Sequence, residues 1–408
     1  MERLFLALGL IAAVAVAHAQ PIRIAVVGPM AFVQGDDLWA GAQMARDEIN
    51  RAGGVNVGGR RAQVELLRVD TNEIESAADA AKAVERAITG DKVDFLVGGF
   101  RSEAVLAMQE VAMEHRRIFL GAGAAHSRLG ANVEQNPARY RYWFRVSPPR
   151  DVDLVRQSFA ALEHVADQLR KRPGAASPKV AILAEKATWV DSIVAAAQKN
   201  LPALKMELVG LWQPAATAGD VAAELAAIER AGADIIFTVL SGPVAIALGR
   251  QASERGTRAV AVGINVEAQK EDFWQATGGK ANHVATLDTF SEVELTAKTI
   301  PFLRAFRERF KRAPSHNAGG TYDALMLLAA AIERAAGTDA DKLVAALEGN
   351  PYTGASGVIE FDKRHDPVWG PGKLSGVAVQ WQDGKKVAFW PPDAKGAQPL
   401  RIPQRPQN

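Results

Sequence analysis

Short apolar runs alternate along this chain with longer stretches in which apolar positions return every three or four residues. Ile22–Met30 (IRIAVVGPM) is such a run, ending in Gly-Pro-Met as a buried parallel strand would. Further strands are predicted at Val64–Asp70, Val93–Val97, Ile118–Gly121, Lys179–Ala184, Met206–Leu211, Ile235–Leu240 and Ala259–Gly263. Between them the helical spacing falls at Ala40–Ala52, closed by Gly53-Gly54, and at Ser76–Ile88, Ala104–Glu114, Ser192–Lys199 and Val221–Ala231. Strands that alternate with helices in this way predict an α/β protein built on doubly wound parallel sheets.

The rhythm breaks at Pro137–Pro149, so the chain reads as two consecutive α/β units with a crossing near residue 146. A second crossing is predicted near Asp288, before helices at Phe302–Phe310, Thr321–Ala336 and Ala340–Leu347, and a third near residue 350. Gly376–Trp390 reads as a hairpin turning at Asp383-Gly384. The expected division is residues 20–145 with 289–347 in one lobe, and 146–288 with 348–390 in the other. Lys171–Pro178 and 391–408 are proline-rich and loop-like, the latter a surface strap or a frayed tail.

Residues 4–17, LFLALGLIAAVAVA, form an uncharged apolar run behind Arg3. The run is shorter than the roughly 20 residues of a membrane span, and it ends in Ala17-His18-Ala19, the small-x-small pattern of a signal-peptidase site. Residues 1–19 are therefore expected to be a secretory signal, with Gln20 the mature N-terminus. A lipid anchor needs a cysteine at that point, and the chain contains none. The mature protein is expected to be exported and soluble.

Composition narrows the chemistry. With 48 basic and 46 acidic residues among 408, the net charge is +2, which points away from a nucleic-acid surface. The run Arg139-Tyr140-Arg141-Tyr142-Trp143-Phe144-Arg145 then reads as a strand whose aromatics pack in the core or hinge. The missing cysteines exclude disulfides, thiolate metal sites and a cysteine nucleophile. Neither a G-x-S-x-G elbow nor a phosphate-binding G-x-x-x-x-G-K-[ST] loop occurs. Gly121-Ala122-Gly123 begins like a dinucleotide fingerprint, but His126 stands at the third glycine position, and a tight turn after a strand is the better reading. The seven histidines form no short metal-binding spacing. His126 reads as a loop histidine. His365-Asp366 beside Asp362 fits either a metal site or a solvated turn, and the turn is preferred. No catalytic set, metal or cofactor is indicated, so the chain is expected not to be an enzyme.

The exported chain opens with Arg23-Ile24-Ala25-Val26-Val27-Gly28-Pro29-Met30 and Gly35-Asp36. It continues through Gly41-Ala42-Gln43-Met44-Ala45-Arg46-Asp47-Glu48-Ile49-Asn50 to Gly53-Gly54-Val55. This block resembles the start of the type I periplasmic binding proteins of the branched-chain amino acid (leucine-binding protein) family. Those are the soluble receptors of ABC importers. Gly98-Gly99, the Gly121–Ala125 turn, Thr321-Tyr322-Asp323-Ala324 and Gly357-x-Ile359-x-Phe361-Asp362 extend the resemblance over about residues 22–390. It implies two doubly wound parallel-sheet lobes joined by a three-strand hinge, with a small amino acid or carboxylate held between them. It also implies delivery to membrane permease subunits and a monomer in the periplasm. A sensor that signals to a membrane receptor is an alternative on the same fold, and an exported enzyme a more distant one.

Carried over position by position, the resemblance implies a ligand site. The turn that holds the ligand carboxylate matches Phe100, Arg101 and Ser102, with the serine hydroxyl and backbone N–H as donors and Arg101 as an added cation. The second turn matches Gly123, Ala124 and Ala125, where alanine replaces the usual hydroxyl residue. The covering aromatic matches Trp189, a further aromatic position holds Ser241, and the acid that pairs with an ammonium appears as Asn265, with Glu267 two residues on. The opposing arrangement turns Arg101 to solvent and gives the ammonium to Glu267.

Overall fold

The computed structural model describes residues 20–172, 177–187 and 190–403. The signal segment lies outside them. In the first half the strands are β1 (Ile22–Gly28), β2 (Val55–Val57), β3 (Arg60–Ala62), β4 (Val64–Asp70), β5 (Phe95–Gly98), β6 (Phe119–Gly121) and β7 (Trp143–Arg145). Five of them make a parallel sheet in the order β4-β1-β5-β6-β7, and β2 and β3 form a separate small antiparallel pair. The second half begins with β8 (Lys179–Ala184), β9 (Glu207–Trp212), β10 (Ile235–Leu240), β11 (Val260–Asn265) and β12 (Ala285–Asp288). There β11-β10-β8-β9 form a parallel sheet. After the short pair β13 (Tyr352–Thr353) and β14 (Val358–Ile359), β15 (Val377–Gln382) returns to pair antiparallel with β12, and β16 (Lys385–Trp390) pairs antiparallel with β15.

The two parallel sheets repeat one local device. Asp94, just before β5, accepts the amide of Arg23 at the start of β1 at 2.9 Å. Asp234, just before β10, accepts the amide of Lys179 at the start of β8 at 3.0 Å. In each case a carboxylate satisfies the first ladder amide that no strand partner reaches.

One apolar core draws on residues 22–146 and 290–374, the other on 161–287 with Ala378 and Phe389. The chain therefore passes between them three times, the last time between Leu374 and Ala378. The sequence reading placed that third passage near residue 350, but Tyr352, Ala355, Ile359 and Leu374 all pack in the first core. Asp323 is the physical reason. This fully buried carboxylate accepts the amides of Ala355 at 2.7 Å and Ser356 at 2.9 Å, and the Ser356 hydroxyl as well, holding the segment on its own helix.

Helix Val33–Arg51 packs along helix His316–Ala335, where Gly41 sits so close that a Cβ would lie 2.0 Å from the Ala318 carbonyl oxygen. Further along the same seam the Tyr322 hydroxyl donates to Glu48 at 2.7 Å. Helix His316–Ala335 begins five residues ahead of the expected Thr321 because Ser315 caps it, accepting the Ala318 amide. Two of the longer helices, Asp151–Arg170 and Val244–Arg255, had not been anticipated, nor had the shorter Arg128–Gln135. The run 139–145 divides into a short helix, Pro137–Tyr140, and strand β7, with Tyr142, Trp143 and Phe144 buried. The described part of the tail straps β15: Gln380 donates to the Arg401 carbonyl and accepts the Arg401 amide, and Leu400 and Ile402 pack on the second core. Among the described residues no helix is long and apolar enough to cross a membrane.

Candidate functional site

In open parallel sheets ligands bind where loops leave the carboxyl ends of the strands. In the first sheet the ends of the neighbouring strands β5 and β6 lead into touching turns. Gly98 and Gly99 both take positive φ, 119° and 78°, which turns the chain from β5 into helix Ser102–Glu114. A Cβ on Gly123 would lie 2.3 Å from the Gly99 carbonyl oxygen and 2.9 Å from the Phe100 Cα, so the turn after β6 lies directly against the turn after β5. The structure thus brings Phe100, Arg101 and Ser102 beside Gly123 and Ala124.

In this turn the backbone amides are engaged within the chain, and Arg101 follows the arrangement in which it turns to solvent. The amides of Phe100 and Arg101 both donate to one oxygen of Glu73, each at 2.7 Å. The other oxygen of Glu73 accepts the Thr71 hydroxyl at 2.7 Å. Glu73 is 2% exposed. Burial pushes its carboxyl above the ordinary range, while the hydroxyl and the two amides pull it back down. The Arg101 guanidinium points along the surface, half-exposed, paired with Glu103 and donating to the Ile74 carbonyl. It is already engaged with an acid of its own helix. Ser102 sits at the first position of that helix, where a backbone N–H has no intrahelical acceptor. Its hydroxyl has no partner within the described residues.

In the second turn the Ala124 carbonyl accepts from Arg145 and the Ala125 carbonyl accepts the Asp151 amide at 3.0 Å. His126 accepts the Arg128 amide on Nδ1, the loop role expected of it. His365 and Asp366, read from sequence as a solvated turn, are instead buried, at 3% and 0% exposure. His365 stacks on Phe144 at 3.9 Å and bridges the Trp143 carbonyl and Glu348, while Asp366 pairs with Arg145. Aromatic cover and a buried guanidinium hold this loop in place of water. Among the described residues no group of three His, Asp or Glu side chains is arranged to hold a metal ion.

The second sheet presents Ser241 after β10 and Asn265 at the end of β11, on neighbouring strands with Leu240 opposite Asn265. Glu185, directly after β8 and 1% exposed, accepts the amides of Ser241 at 2.7 Å and Gly242 at 3.0 Å, and the Ser241 hydroxyl too. Asn265 caps helix Val266–Gln269 by accepting the Ala268 amide at 2.9 Å. It is fully buried, and its Nδ2 has no partner among the described residues. Glu267 pairs with Lys270 at 2.7 Å and is largely covered. Trp189 lies outside the described residues.

Sequence reasoning missed Glu73 and Glu185. The available signal was an acid set just beyond an apolar strand, in Asp70-Thr71-Asn72-Glu73 and in Ala184-Glu185. A charge at that depth must be paired or fully hydrogen-bonded, and both are held by the turns that the site would use.

A family model described as periplasmic binding protein matches residues 21–385. A Leu/Ile/Val-binding protein homolog 7 from Brucella melitensis is 23% identical over 383 residues, covering 92% of each chain. Among solved structures, a putative branched-chain amino acid ABC transporter protein from Silicibacter pomeroyi superposes with a TM-score of 0.81 at 20% identity, covering 94% of this chain and 99% of that one. An ABC transporter solute binding protein from R. palustris, in complex with benzoate, gives 0.67 at 20% identity, covering 90% and 95%.

Proposed function

The chain belongs to the periplasmic binding protein family, and on that premise we propose that it is the exported solute receptor of an ABC importer. The observation that carries the reading is the whole-chain match to that family together with two parallel sheets whose strand-end turns are built alike. In this reading two lobes close on a small amino-acid-like or carboxylate solute, as the names of its relatives suggest. The closed form is then recognised by permease subunits in the membrane. Ser102 supplies the open hydroxyl and amide on one lobe, and Asn265 supplies the unsatisfied Nδ2 on the other. Gly123, Ala124 and Ala125 give backbone contacts, and Trp189 and Glu267 complete the second lobe. The receptor acts as a monomer and performs no chemistry on its solute. Its leader is removed after Ala19.

Two lobes that both contact one solute supply the differential affinity that favours closure. Mass spectrometry of small molecules released on denaturing the purified periplasmic protein tests the reading. An amino acid or carboxylate present in equimolar amount supports it, and calorimetry with that compound should lose affinity in Ser102→Ala. The intact mass of the same sample should begin at Gln20. A protein that carries no solute, and titrates with none from an amino-acid and organic-acid library, would count against the receptor role.

A further inference from the structure

Two successive backbone amides converging on one point form a seat for an anion. In this protein that seat, at Phe100 and Arg101, already holds a carboxylate of the chain itself, with both contacts at 2.7 Å. The Thr71 hydroxyl and the two amides all favour the ionised form of Glu73, against the burial that disfavours it. The second lobe repeats the arrangement: Glu185 holds the amides of Ser241 and Gly242 after β10, the strand that follows the same α/β step there as β5 does in the first sheet. Each lobe thus brings its own carboxylate to the turn.

We propose that Glu73 is a specificity-determining residue: it fills the carboxylate seat of the first-lobe turn, so that the group a solute presents to Ser102 is an uncharged acceptor, such as an amide carbonyl. This rests on the solute-receptor reading and narrows it. A solute carboxylate at Ser102 would stand one residue along the same turn from a buried negative charge that is already desolvated, and like charges so placed disfavour each other's ionised form. The turn's own cation does not compensate, because Arg101 is turned outward and paired with Glu103. A carbonyl oxygen takes the Ser102 hydroxyl and amide without that penalty. A carboxylate elsewhere on the solute, away from this turn, is unaffected.

Two measurements test the proposal. In the first, calorimetry compares leucine with leucinamide and benzoate with benzamide. The amide of a pair should bind the wild-type protein about tenfold more tightly than its acid. In Glu73→Gln, which keeps a side-chain oxygen for the two amides, the acid should gain about tenfold while the amide changes less than about threefold. An acid that binds the wild type as tightly as its amide, or a ratio that Glu73→Gln leaves unmoved, overturns the proposal.

The second measurement needs no solute. Glu73→Ala empties the seat, and acetate should raise its melting temperature by several degrees over chloride at equal ionic strength. Acetamide should not, and the wild type and Glu73→Gln should not respond. If Glu73→Ala does not fold in chloride, refolding yield in acetate against chloride gives the same answer. No acetate-specific effect means that the turn is not a carboxylate seat. If none of the four probes binds the wild type, the receptor reading fails for these solute classes, while the acetate result still decides whether Glu73 fills the seat.

Discussion

Arg145 and Asp366, 221 positions apart, meet as an ion pair at 2.7 Å in which neither side chain reaches solvent. The two terminal guanidinium nitrogens donate to the carbonyls of Ala124 and His126. The pair thus pins the turn after β6 to the loop that precedes the third passage between the cores. Gly130 makes room for it, since a Cβ there would lie 2.4 Å from the Asp366 carboxylate. Burial raises the Asp366 pKa, and Arg145 opposes the rise.

Removing one member of a buried pair leaves the other charged and uncompensated. Asp366→Ala should therefore cost about 3–5 kcal/mol in urea unfolding. The double variant Arg145→Met, Asp366→Leu should cost less than either single change, because it removes both desolvation penalties. Single variants within about 0.5 kcal/mol of wild type would mean that the pair contributes little.

The contact between Gly41 and Ala318 gives a second expectation. In an exposed helix Gly→Ala is stabilising by up to about 1 kcal/mol. Here the added Cβ would lie 2.0 Å from a backbone carbonyl oxygen, so the helices must move apart. Overpacking of this kind costs about 1–3 kcal/mol, which exceeds the propensity gain. Gly41→Ala should lower the melting temperature, and a rise would show that the two helices slide freely.

Much of the architecture was legible because burial on both faces of a parallel strand leaves an unbroken apolar run, as in Ile235–Leu240, whose predicted and observed limits coincide. Helix Asp151–Arg170 was missed because Pro148 and Pro149 and the charges of its first turn hid the spacing of Ala161, Leu162, Val165 and Leu169. The third passage was misplaced because what holds residues 352–356 is a carboxylate in another helix, Asp323, and no local pattern reports it. The same holds at the candidate site. Ser102 and Gly123 stand out as turn residues, but the occupation of the Phe100 and Arg101 amides by Glu73 is a contact across 27 and 28 positions. Nor did residue type distinguish an Arg101 directed at a ligand from one paired with its neighbour Glu103.

His316, the first residue of helix His316–Ala335, provides a test by pH. Burial lowers its pKa from 6.5 to about 4, with Asp288 acting in the opposite direction. The unfolded chain thus binds the proton more readily between those values. The stabilising contribution of the neutral ring is complete above about pH 6.5 and is lost as pH falls toward 4. The ceiling on the loss is about 3 kcal/mol. His316→Gln should narrow the difference in unfolding free energy between pH 7 and pH 4.5. An unchanged difference would place the acid sensitivity on other groups.

Arg150 joins the first passage to both sides of the hinge. Its Nε bonds Asp153 at 2.8 Å, an acid 1% exposed in helix Asp151–Arg170. Its Nη1 lies 3.7 Å from Asp362 and 3.8 Å from Asp366, in the segment packed with the first core. The two sides respond differently to its loss. Asp153 keeps Arg156 at 2.7 Å and Asp366 keeps Arg145, so no buried acid is left alone and the fold should lose only about 1 kcal/mol. The passage itself loses the charge shared between the lobes, which lets the lobes splay. If the binding-competent arrangement becomes a smaller fraction of the population, apparent affinity falls by that fraction although no solute contact has changed. Arg150→Gln should therefore show a larger radius of gyration without solute and several-fold weaker binding. At saturating solute, small-angle scattering should find the wild type and the variant contracted to the same radius. A variant with wild-type radius and affinity would remove Arg150 from the hinge, and a wild type that does not contract at saturation would remove the hinge itself.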